Sequence, residues 1–373
     1  MTRRRTALAI ALAVAASLPL TACGSDDPIN HPWRPGGSTP GAQAPVAEGD
    51  LSGTLAAAGA SSQESAMAAW AAGFQAAYPD VVVSYDPVGS GGGRTQFVEG
   101  GIALAGSDAP LDDEELAAAQ ERCAPGAVAE LPLYVSPIAV VFNLDGIDSL
   151  NLAPATVAGI FARTITRWDA PEIAAANPGV VLPDLAITPV TRSDESGTTE
   201  NFTGYLAAAA PEAWPFEPSG NWPLEGGQSA QGTSGVVQTV TDGTGTIGYA
   251  DASKAGTLGT VALGVGDAYV PFSPEAAAAR VDGSPRAEGR PATSLVVDLD
   301  RTSTAPGTYP LVLVSYTLAC TAYDDAAQAE LVAAFLTYVA SEAGQATAAS
   351  AAGSAPISPT LREQVLAVVE GLG

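Results

Sequence analysis

The sequence predicts an α/β protein, because short runs rich in β-branched residues alternate with alanine-rich stretches of helical periodicity. The 373 residues, of which 47% are hydrophobic, are enough for two modest domains that each bury a core. No repeat of fixed period interrupts the alternation. These features predict a chain of strand, loop and helix units.

Periodicity and helix-breaking residues place the elements in chain order. Met67, Trp70 and Phe74 recur at helical spacing within residues 63–78, and Pro79 ends that helix. Further strands are predicted at residues 81–88, 102–105, 137–144, 187–191, 246–249, 294–299 and 309–317. Further helices are predicted from residue 95 onward and at residues 112–122, 154–163, 200–209 and 326–340.

The N-terminal residues have the order of an export signal. Three arginines at residues 3–5 precede an apolar run at residues 7–20, which is too short to span a bilayer comfortably. The Leu-Thr-Ala-Cys sequence that ends at Cys23 resembles a bacterial lipobox, whose cysteine is acylated and becomes the first residue. We predict a signal peptide at residues 1–22, lipid attachment at Cys23 and a flexible tether at residues 23–50. The alternative is an ordinary cleaved signal with an incidental cysteine.

The chain is strongly acidic. Its formal net charge is −25, and removal of the three leader arginines makes it −28. Nucleic-acid binding is not expected, because it needs clustered Lys and Arg to neutralise phosphates. The same charge repels a small anion at long range, so any anion site must rely on short-range dipoles and hydrogen bonds.

Cysteine and histidine usage narrows the chemistry. Cys123 and Cys320 remain after the anchor, and such thiols of an exported protein more often pair than stay free, although sequence alone does not show that they meet. The single histidine, His31, falls in the tether and no Cys-x-x-Cys occurs, so neither a metal site nor a cofactor is predicted. An enzyme is not expected either, because a nucleophilic serine needs a base and the chain has no Walker A Gly-Lys pair.

Four loops share one layout, in which a predicted strand passes through glycine or hydroxyl residues into a predicted helix. They contain the pair Ser61 and Ser62, then Ser90, then Asp108, and finally the run at residues 193–199. Such junctions expose free backbone N–H groups at the positive end of a helix dipole, which suits an oxyanion. One such serine is usually only an N-cap, but four loops together predict convergence on one ligand.

Several motifs occur in these regions and beyond them. They are AGSDAPL at residues 105–111, IF at 160–161, ITRW at 165–168, NPG at 177–179, RSDESGTT at 192–199 and GTIGY at 245–249. From about residue 51 to the end, the chain resembles the PstS family, the phosphate-binding proteins of ABC importers. The resemblance implies a two-lobed type II periplasmic-binding-protein fold with a hinge and a ligand cleft between the lobes. Residues 51–140 and 305–373 would form lobe 1, and residues 141–304 would form lobe 2.

The resemblance also implies which residues bind phosphate. These are Ser61, Ser62, Ser90, Asp108, Arg192, Ser196, Gly197 and Thr198, while Asp194 would pair with Arg192 and hold its guanidinium in place. Two departures from the family pattern are the Ser61-Ser62 pair, which replaces the commoner Thr-Phe, and Arg94, which follows a turn that usually continues with an apolar residue. Arg94 is either structural or a ligand contact. The plain structural alternatives are a helix-capping Asp108 and a surface ion pair between Arg192 and Asp194.

Asp108 is the residue that bears most on the ligand class. A carboxylate beside an anion is repulsive unless the ligand carries a proton that it can donate. Phosphate carries such a proton at neutral pH, whereas fully ionised sulfate would leave a buried acceptor facing like charge. The residue therefore favours phosphate over sulfate.

The predicted function is an extracytoplasmic, high-affinity receptor that delivers inorganic phosphate to an ABC permease. The protein is expected to be a lipid-anchored monomer on the outer face of the cytoplasmic membrane, and any ATPase would be a separate subunit. Two alternatives stay open: a receptor of the same fold for another oxyanion such as sulfate or molybdate, and a surface sensor or adhesin without transport.

Overall fold

The computed structural model describes residues 51–373, so the predicted signal peptide, Cys23 and the tether lie outside the described residues. The described part has eleven strands: β1 Gly53–Gly59, β2 Val81–Asp86, β3 Leu104–Ser107, β4 Val128–Phe142, β5 Ser149–Leu152, β6 Thr188–Arg192, β7 Gln228–Ala230, β8 Thr246–Asp251, β9 Gly259–Val265, β10 Ala268–Val270 and β11 Val312–Cys320. It also has eleven α-helices: α1 Glu64–Ala77, α2 Ser90–Val98, α3 Asp113–Arg122, α4 Pro154–Phe161, α5 Pro171–Ala176, α6 Gly197–Ala209, α7 Gly232–Asp242, α8 Pro274–Asp282, α9 Ala326–Ala340, α10 Glu342–Ala352 and α11 Pro359–Val369. None of these helices, within residues 51–373, is long and apolar enough to cross a membrane.

Strand β4 is shared by two half-sheets. Up to Pro137 it pairs antiparallel with β11, and from Ile138 onward it pairs antiparallel with β8. One half-sheet has the order β2-β1-β3-β11-β4, and the other continues as β4-β8-β6-β7, while β9 pairs with β4 and carries β5 and β10. Lobe 1 is the part built on the first half-sheet and lobe 2 the part built on the second, so β4 crosses between the lobes. The residue boundaries predicted for the lobes remain predictions.

The strand order brings the predicted loops to one place. Strands β1, β2 and β3 run parallel in lobe 1, and β6, β7 and β8 run parallel in lobe 2. In open α/β sheets, the loops at the carboxyl ends of parallel strands form the ligand crevice. The loops after β1, β2, β3 and β6 are those that carry the predicted site residues.

The structure corrects the predictions for helix α2 and for the strand at residues 294–299. Helix α2 begins at Ser90 rather than at residue 95, although three glycines are poor helix formers. Close packing explains why one of these residues, Gly93, is a glycine: a Cβ atom on it would lie 2.5 Å from Cα of Gly59 in β1. The strand predicted at residues 294–299 makes only isolated bridges, through Ser294 and Val297. By contrast, the helix predicted at residues 326–340 is confirmed as α9.

Cys123 and Cys320 form a disulfide, with the two Sγ atoms 2.00 Å apart and the two Cα atoms 5.1 Å apart. Cys123 follows helix α3 and Cys320 ends strand β11, so the bond joins two elements of lobe 1. The two cysteines are 197 residues apart in sequence. A crosslink over so long a loop stabilises a fold by at most about 5 kcal/mol in the chain-entropy model.

A buried carboxylate lies beside the crossing strand. Asp251 ends β8 opposite Ile138 of β4, and its side chain is fully buried. Its Oδ1 accepts a hydrogen bond from the N–H of Ser253 at 2.9 Å, and its Oδ2 accepts one from the hydroxyl of Tyr134 at 3.1 Å. Burial raises the pKa of Asp251 to about 6, and hydrogen bonds from Ser253 and Ser136 offset only part of that effect.

The raised pKa of Asp251 predicts a pH-dependent stability. Because the folded-state pKa exceeds the unfolded value of about 3.9, its contribution is fully present below about pH 4 and is lost as pH rises through about 6. The amide in Asp251→Asn does not ionise, so the stability of this variant has no such dependence on pH at this position. Relative to the unmodified protein, its free energy of unfolding should therefore rise between about pH 4 and pH 7, by on the order of 2 to 3 kcal/mol.

Urea denaturation at the two pH values measures this difference. Asp145→Asn is the control, because Asp145 is exposed and makes the same chemical change outside the core. Equal pH dependence of the two variants would contradict the assignment.

Candidate functional site

Asp108 is the central residue of the candidate site. It follows β3, and 2% of its surface is exposed. Its Oδ1 accepts a hydrogen bond of 2.6 Å from the hydroxyl of Ser62 at the start of α1, and its Oδ2 accepts one of 2.8 Å from the hydroxyl of Thr198 in α6. Ser62 belongs to lobe 1 and Thr198 to lobe 2, so one carboxylate is bonded to both lobes. This geometry goes beyond the helix-capping alternative, because both oxygens face side chains of other elements.

Burial raises the pKa of Asp108. The hydroxyls of Ser62, Ser315 and Thr198 and the positive charge of Arg192 act in the opposite direction but do not outweigh it. The influence of Arg192 also indicates that the cation and the carboxylate predicted from sequence lie in the same region. Asp108 therefore takes up a proton more readily than an ordinary exposed carboxylate.

The loop of Asp108 is held against helices of both lobes. The N–H of Asp108 donates to the hydroxyl oxygen of Ser90 at 3.1 Å. Gly197, the first residue of α6, lies against the same pair, because a Cβ on it would be 2.7 Å from Cβ of Asp108 and 2.7 Å from Oγ of Ser90. Glycine is thus required at position 197 for this approach. The loops that carry Ser90 and Asp108 in lobe 1 therefore contact the start of α6 in lobe 2.

Arg192 is the cation of the site. It ends β6, is 4% exposed, and donates from Nε to Oδ1 of Asp194 at 2.8 Å and from Nη2 to Oδ2 of the same carboxylate. Asp194 also accepts from the N–H of Gly232 at 3.0 Å. Burial alone would raise the pKa of Asp194, but the hydrogen bonds and charge of Arg192, together with the bond from Gly232, lower it. Arg192 is buried, Asp194 is half-buried and their contact is bidentate, which distinguishes the pair from a surface ion pair.

The N-terminus of α6 is fixed by its own side chains. Ser196 is the N-cap, and its hydroxyl oxygen accepts from the N–H of Thr199 at 3.2 Å. The hydroxyls of Thr199 and Tyr249 lie 2.8 Å apart, and the Tyr249 oxygen also accepts from the N–H of Arg192 at 3.4 Å. Tyr249 stacks on Phe202, with ring centroids 4.2 Å apart. Tyr249 is therefore a core aromatic residue whose hydroxyl contacts both Thr199 of α6 and the backbone of Arg192.

Thr233, Asn201 and Gly232 belong to the site and were not predicted from the sequence. Ser61 lies 3.0 Å from the hydroxyl of Thr233 and accepts from its N–H at 3.0 Å, which joins the first turn of α7 to lobe 1. Asn201 donates to the carbonyl oxygens of Asp108, at 2.6 Å, and of Gly197, at 2.9 Å. Gly232, next to Thr233, donates its N–H to Asp194. The signal for α7 was a fifth strand-to-helix junction of small residues, hidden because β7 has only three residues.

All predicted ligand residues are buried in this region. They are Ser61, Ser62, Ser90, Asp108, Arg192, Ser196, Gly197 and Thr198. Hydroxyls, backbone N–H groups and one guanidinium supply hydrogen-bond donors, and one carboxylate supplies an acceptor, a set that suits a small oxyanion that carries a proton. In the part of the chain that the structure describes, no group of three His, Cys, Asp or Glu residues could hold a metal ion.

A family model described as the PBP superfamily domain matches residues 44–343. The phosphate-binding protein PstS 3 of Mycobacterium tuberculosis is 34% identical over 342 residues, which cover 90% of this chain and 90% of that protein. The chain belongs to the PstS family of phosphate-binding proteins. Another relative, phosphate-binding protein PstS of Xylella fastidiosa, is 36% identical over 217 residues, or 57% of each chain.

Solved structures agree with this PstS family assignment at the level of the fold. A phosphate-binding protein from Stenotrophomonas maltophilia has a TM-score of 0.68 and 19% identity, covering 85% of this chain and 94% of its own. The high affinity periplasmic phosphate-binding protein PfluDING, solved with bound phosphate, has a TM-score of 0.69 and 22% identity, covering 84% and 93%. The predicted two-lobed type II periplasmic-binding-protein fold is thereby confirmed.

Proposed function

We propose that this protein is an extracytoplasmic receptor that binds inorganic phosphate between its lobes and delivers it to an ABC importer. The observation that carries the proposal is the buried carboxylate of Asp108, which accepts hydroxyl hydrogen bonds from both lobes in the neighbourhood of Arg192. Relatives named phosphate-binding protein PstS support the same ligand.

The ligand would be held by short-range contacts. Arg192 already gives Nε and Nη2 to Asp194, so its orientation is fixed before phosphate arrives, and Nη1 would reach a phosphate oxygen. The N-terminus of α6 would add the backbone N–H groups of Gly197 and Thr198 and the dipole of the helix. The backbone N–H of Ser62 and the hydroxyl of Ser90 would complete the shell, because the hydroxyl proton of Ser62 is already donated to Asp108. Such contacts work despite the net charge of −25, because they act at hydrogen-bond distance.

Asp108 would set the preference for phosphate. A protonated phosphate oxygen can donate to the carboxylate, whereas sulfate at neutral pH has nothing to donate. Lobe closure would then report occupancy, because Ser61, Asp108 and Ser90 of lobe 1 contact Thr233, Thr198 and Gly197 of lobe 2 only when the lobes meet. The importer would recognise the closed form. An anchor at Cys23 would keep a monomeric receptor at the outer face of the cytoplasmic membrane.

Competition binding tests the proposal. Radiolabelled phosphate should bind to the purified protein at one site, and unlabelled phosphate should displace it at far lower concentration than sulfate or molybdate does. Equal displacement by all three anions would favour a general oxyanion receptor. If no labelled phosphate binds at neutral pH, the proposed function is wrong.

A further inference from the structure

Arg94 is a buried cation that the phosphate shell proposed above does not use. It lies in α2 and is 5% exposed. Its guanidinium donates from Nε to Glu115 at 2.7 Å, from Nη1 to the hydroxyl of Ser107 at 3.2 Å, and from Nη2 to Glu195 at 2.7 Å. All three nitrogens therefore have partners, which favours the structural alternative for Arg94 over a direct contact with ligand.

The contact with Glu195 joins the lobes, whereas the other two stay within lobe 1. Glu115 belongs to α3 and Ser107 ends β3, while Glu195 precedes the N-cap of α6 in lobe 2. A second contact crosses at the same point, since the N–H of Gly91 donates to the carbonyl oxygen of Glu195 at 3.3 Å. A Cβ on Gly91 would be 2.3 Å from the side-chain carboxyl carbon of Glu195, so the missing side chain makes room for this glutamate.

We propose that Arg94 is a positioning residue, and that its ion pair with Glu195 is a latch that holds the lobes closed over the bound anion. The inference rests on the proposed function, because it concerns how long phosphate is retained. Glu195 stands between Asp194, which orients Arg192, and Ser196, which caps α6. Fixing Glu195 therefore fixes the segment that carries both the cation and the helix N-terminus of lobe 2.

The three-way bonding of Arg94 explains why the latch can open. When the lobes separate, the guanidinium keeps Glu115 and Ser107, so no unpaired buried charge is left behind. Glu195 can regain water, because 44% of its side chain is already exposed. The pair is desolvated mainly on the arginine side, where only 6% of the side chain is exposed, and this makes it stronger than a surface pair. Its loss should thus act on release of the ligand more than on capture.

Stopped-flow kinetics with inorganic phosphate tests the latch. Glu195→Gln should release phosphate roughly 5- to 30-fold faster than the unmodified protein, while the association rate should change less than about twofold. Glu64→Gln is the matched control, because Glu64 of α1 pairs with Lys254, which follows β8 in lobe 2, at a longer distance of 3.4 Å. The side chain of Lys254 is 26% exposed, against 6% for Arg94. Glu64→Gln should leave the release rate of phosphate unchanged, since exposed ion pairs contribute little interaction free energy.

A double-mutant cycle identifies Arg94 as the partner. In an Arg94→Met background, Glu195→Gln should no longer accelerate release, because the pair is already broken. If the two substitutions accelerate release additively, the latch proposal is wrong. It is also wrong if Glu195→Gln releases phosphate as slowly as the unmodified protein does. In either case the proposed function stands. Absence of phosphate binding by the unmodified protein would instead overturn the proposed function, and the latch with it. Should Arg94→Met fail to fold, the single Glu195→Gln measurement decides.

Discussion

Arg192→Met should weaken phosphate binding by about 10²- to 10³-fold. A hydrogen bond to a charged group contributes roughly 1.5 to 3 kcal/mol, and a buried guanidinium that is already oriented would supply one or two such bonds. Methionine fills a similar volume but has no donor. Arg192→Lys should recover only part of the affinity, because a single ammonium cannot hold Asp194 bidentately and contact phosphate in the same geometry. Isothermal titration calorimetry with phosphate measures the loss.

Two controls separate this effect from damage to the fold. Removing Arg192 leaves Asp194 as a partly buried charge without its partner, so Arg192→Met combined with Asp194→Asn should restore stability but not affinity. Arg167→Met removes an arginine whose side chain is 46% exposed and should change neither quantity. An affinity for phosphate within tenfold of the unmodified protein in Arg192→Met would contradict the role given to Arg192.

Asp108→Asn should reduce the preference for phosphate over sulfate by roughly 10²-fold. The amide replaces one oxygen acceptor by an NH₂ donor, so sulfate gains a partner and protonated phosphate loses one, each worth about 1 to 3 kcal/mol. Phosphate affinity should fall while sulfate affinity rises, a pattern that general misfolding cannot produce. Asp112→Asn makes the same change at the exposed N-cap of α3 and should leave the preference intact. Calorimetric titration of each variant with both anions gives the ratio.

The contiguous part of the site could be predicted from the sequence. Arg192, Asp194 and Thr198 lie in one run that passes from a strand into a helix, so their proximity is local and needs no knowledge of the tertiary fold. The shared layout of the loops also pointed to Ser62 and Asp108 in distant segments, and the resemblance to a known family implied their roles. The structure places these residues together, because parallel strands end at the same edge of each half-sheet.

Contacts between distant segments could not be predicted. Thr233 follows a strand of three residues, and Asn201 is one of many polar residues on α6, so neither carries a local signal for its partner. The resemblance made Ser61 a ligand, whereas its hydroxyl is bonded to Thr233 across the cleft. Arg94 was left open for the same reason, because its role depends on Glu195 in the other lobe.

Strand β4 shows why proline misleads a sequence-based prediction. Residues 137–144 were predicted as its extent, yet the strand begins at Val128 and includes Pro132 and Pro137. Proline in a central strand is unusual because it lacks an N–H. Here the pairing register shifts between Ser315 and Tyr316 opposite Pro132, and β4 changes partner after Pro137. Both prolines lie where the ladder is already interrupted.

The most direct measurement of the central claim compares phosphate and sulfate binding to the unmodified protein at neutral and mildly acidic pH. Because the pKa of Asp108 is raised, lowering the pH protonates it and turns an acceptor into a donor. Phosphate should be strongly preferred at neutral pH, and sulfate affinity should rise as pH falls, an increase that is absent in Asp108→Asn. Equal affinities for the two anions at neutral pH would contradict the claim that a proton-accepting carboxylate in a closed cleft selects the ligand.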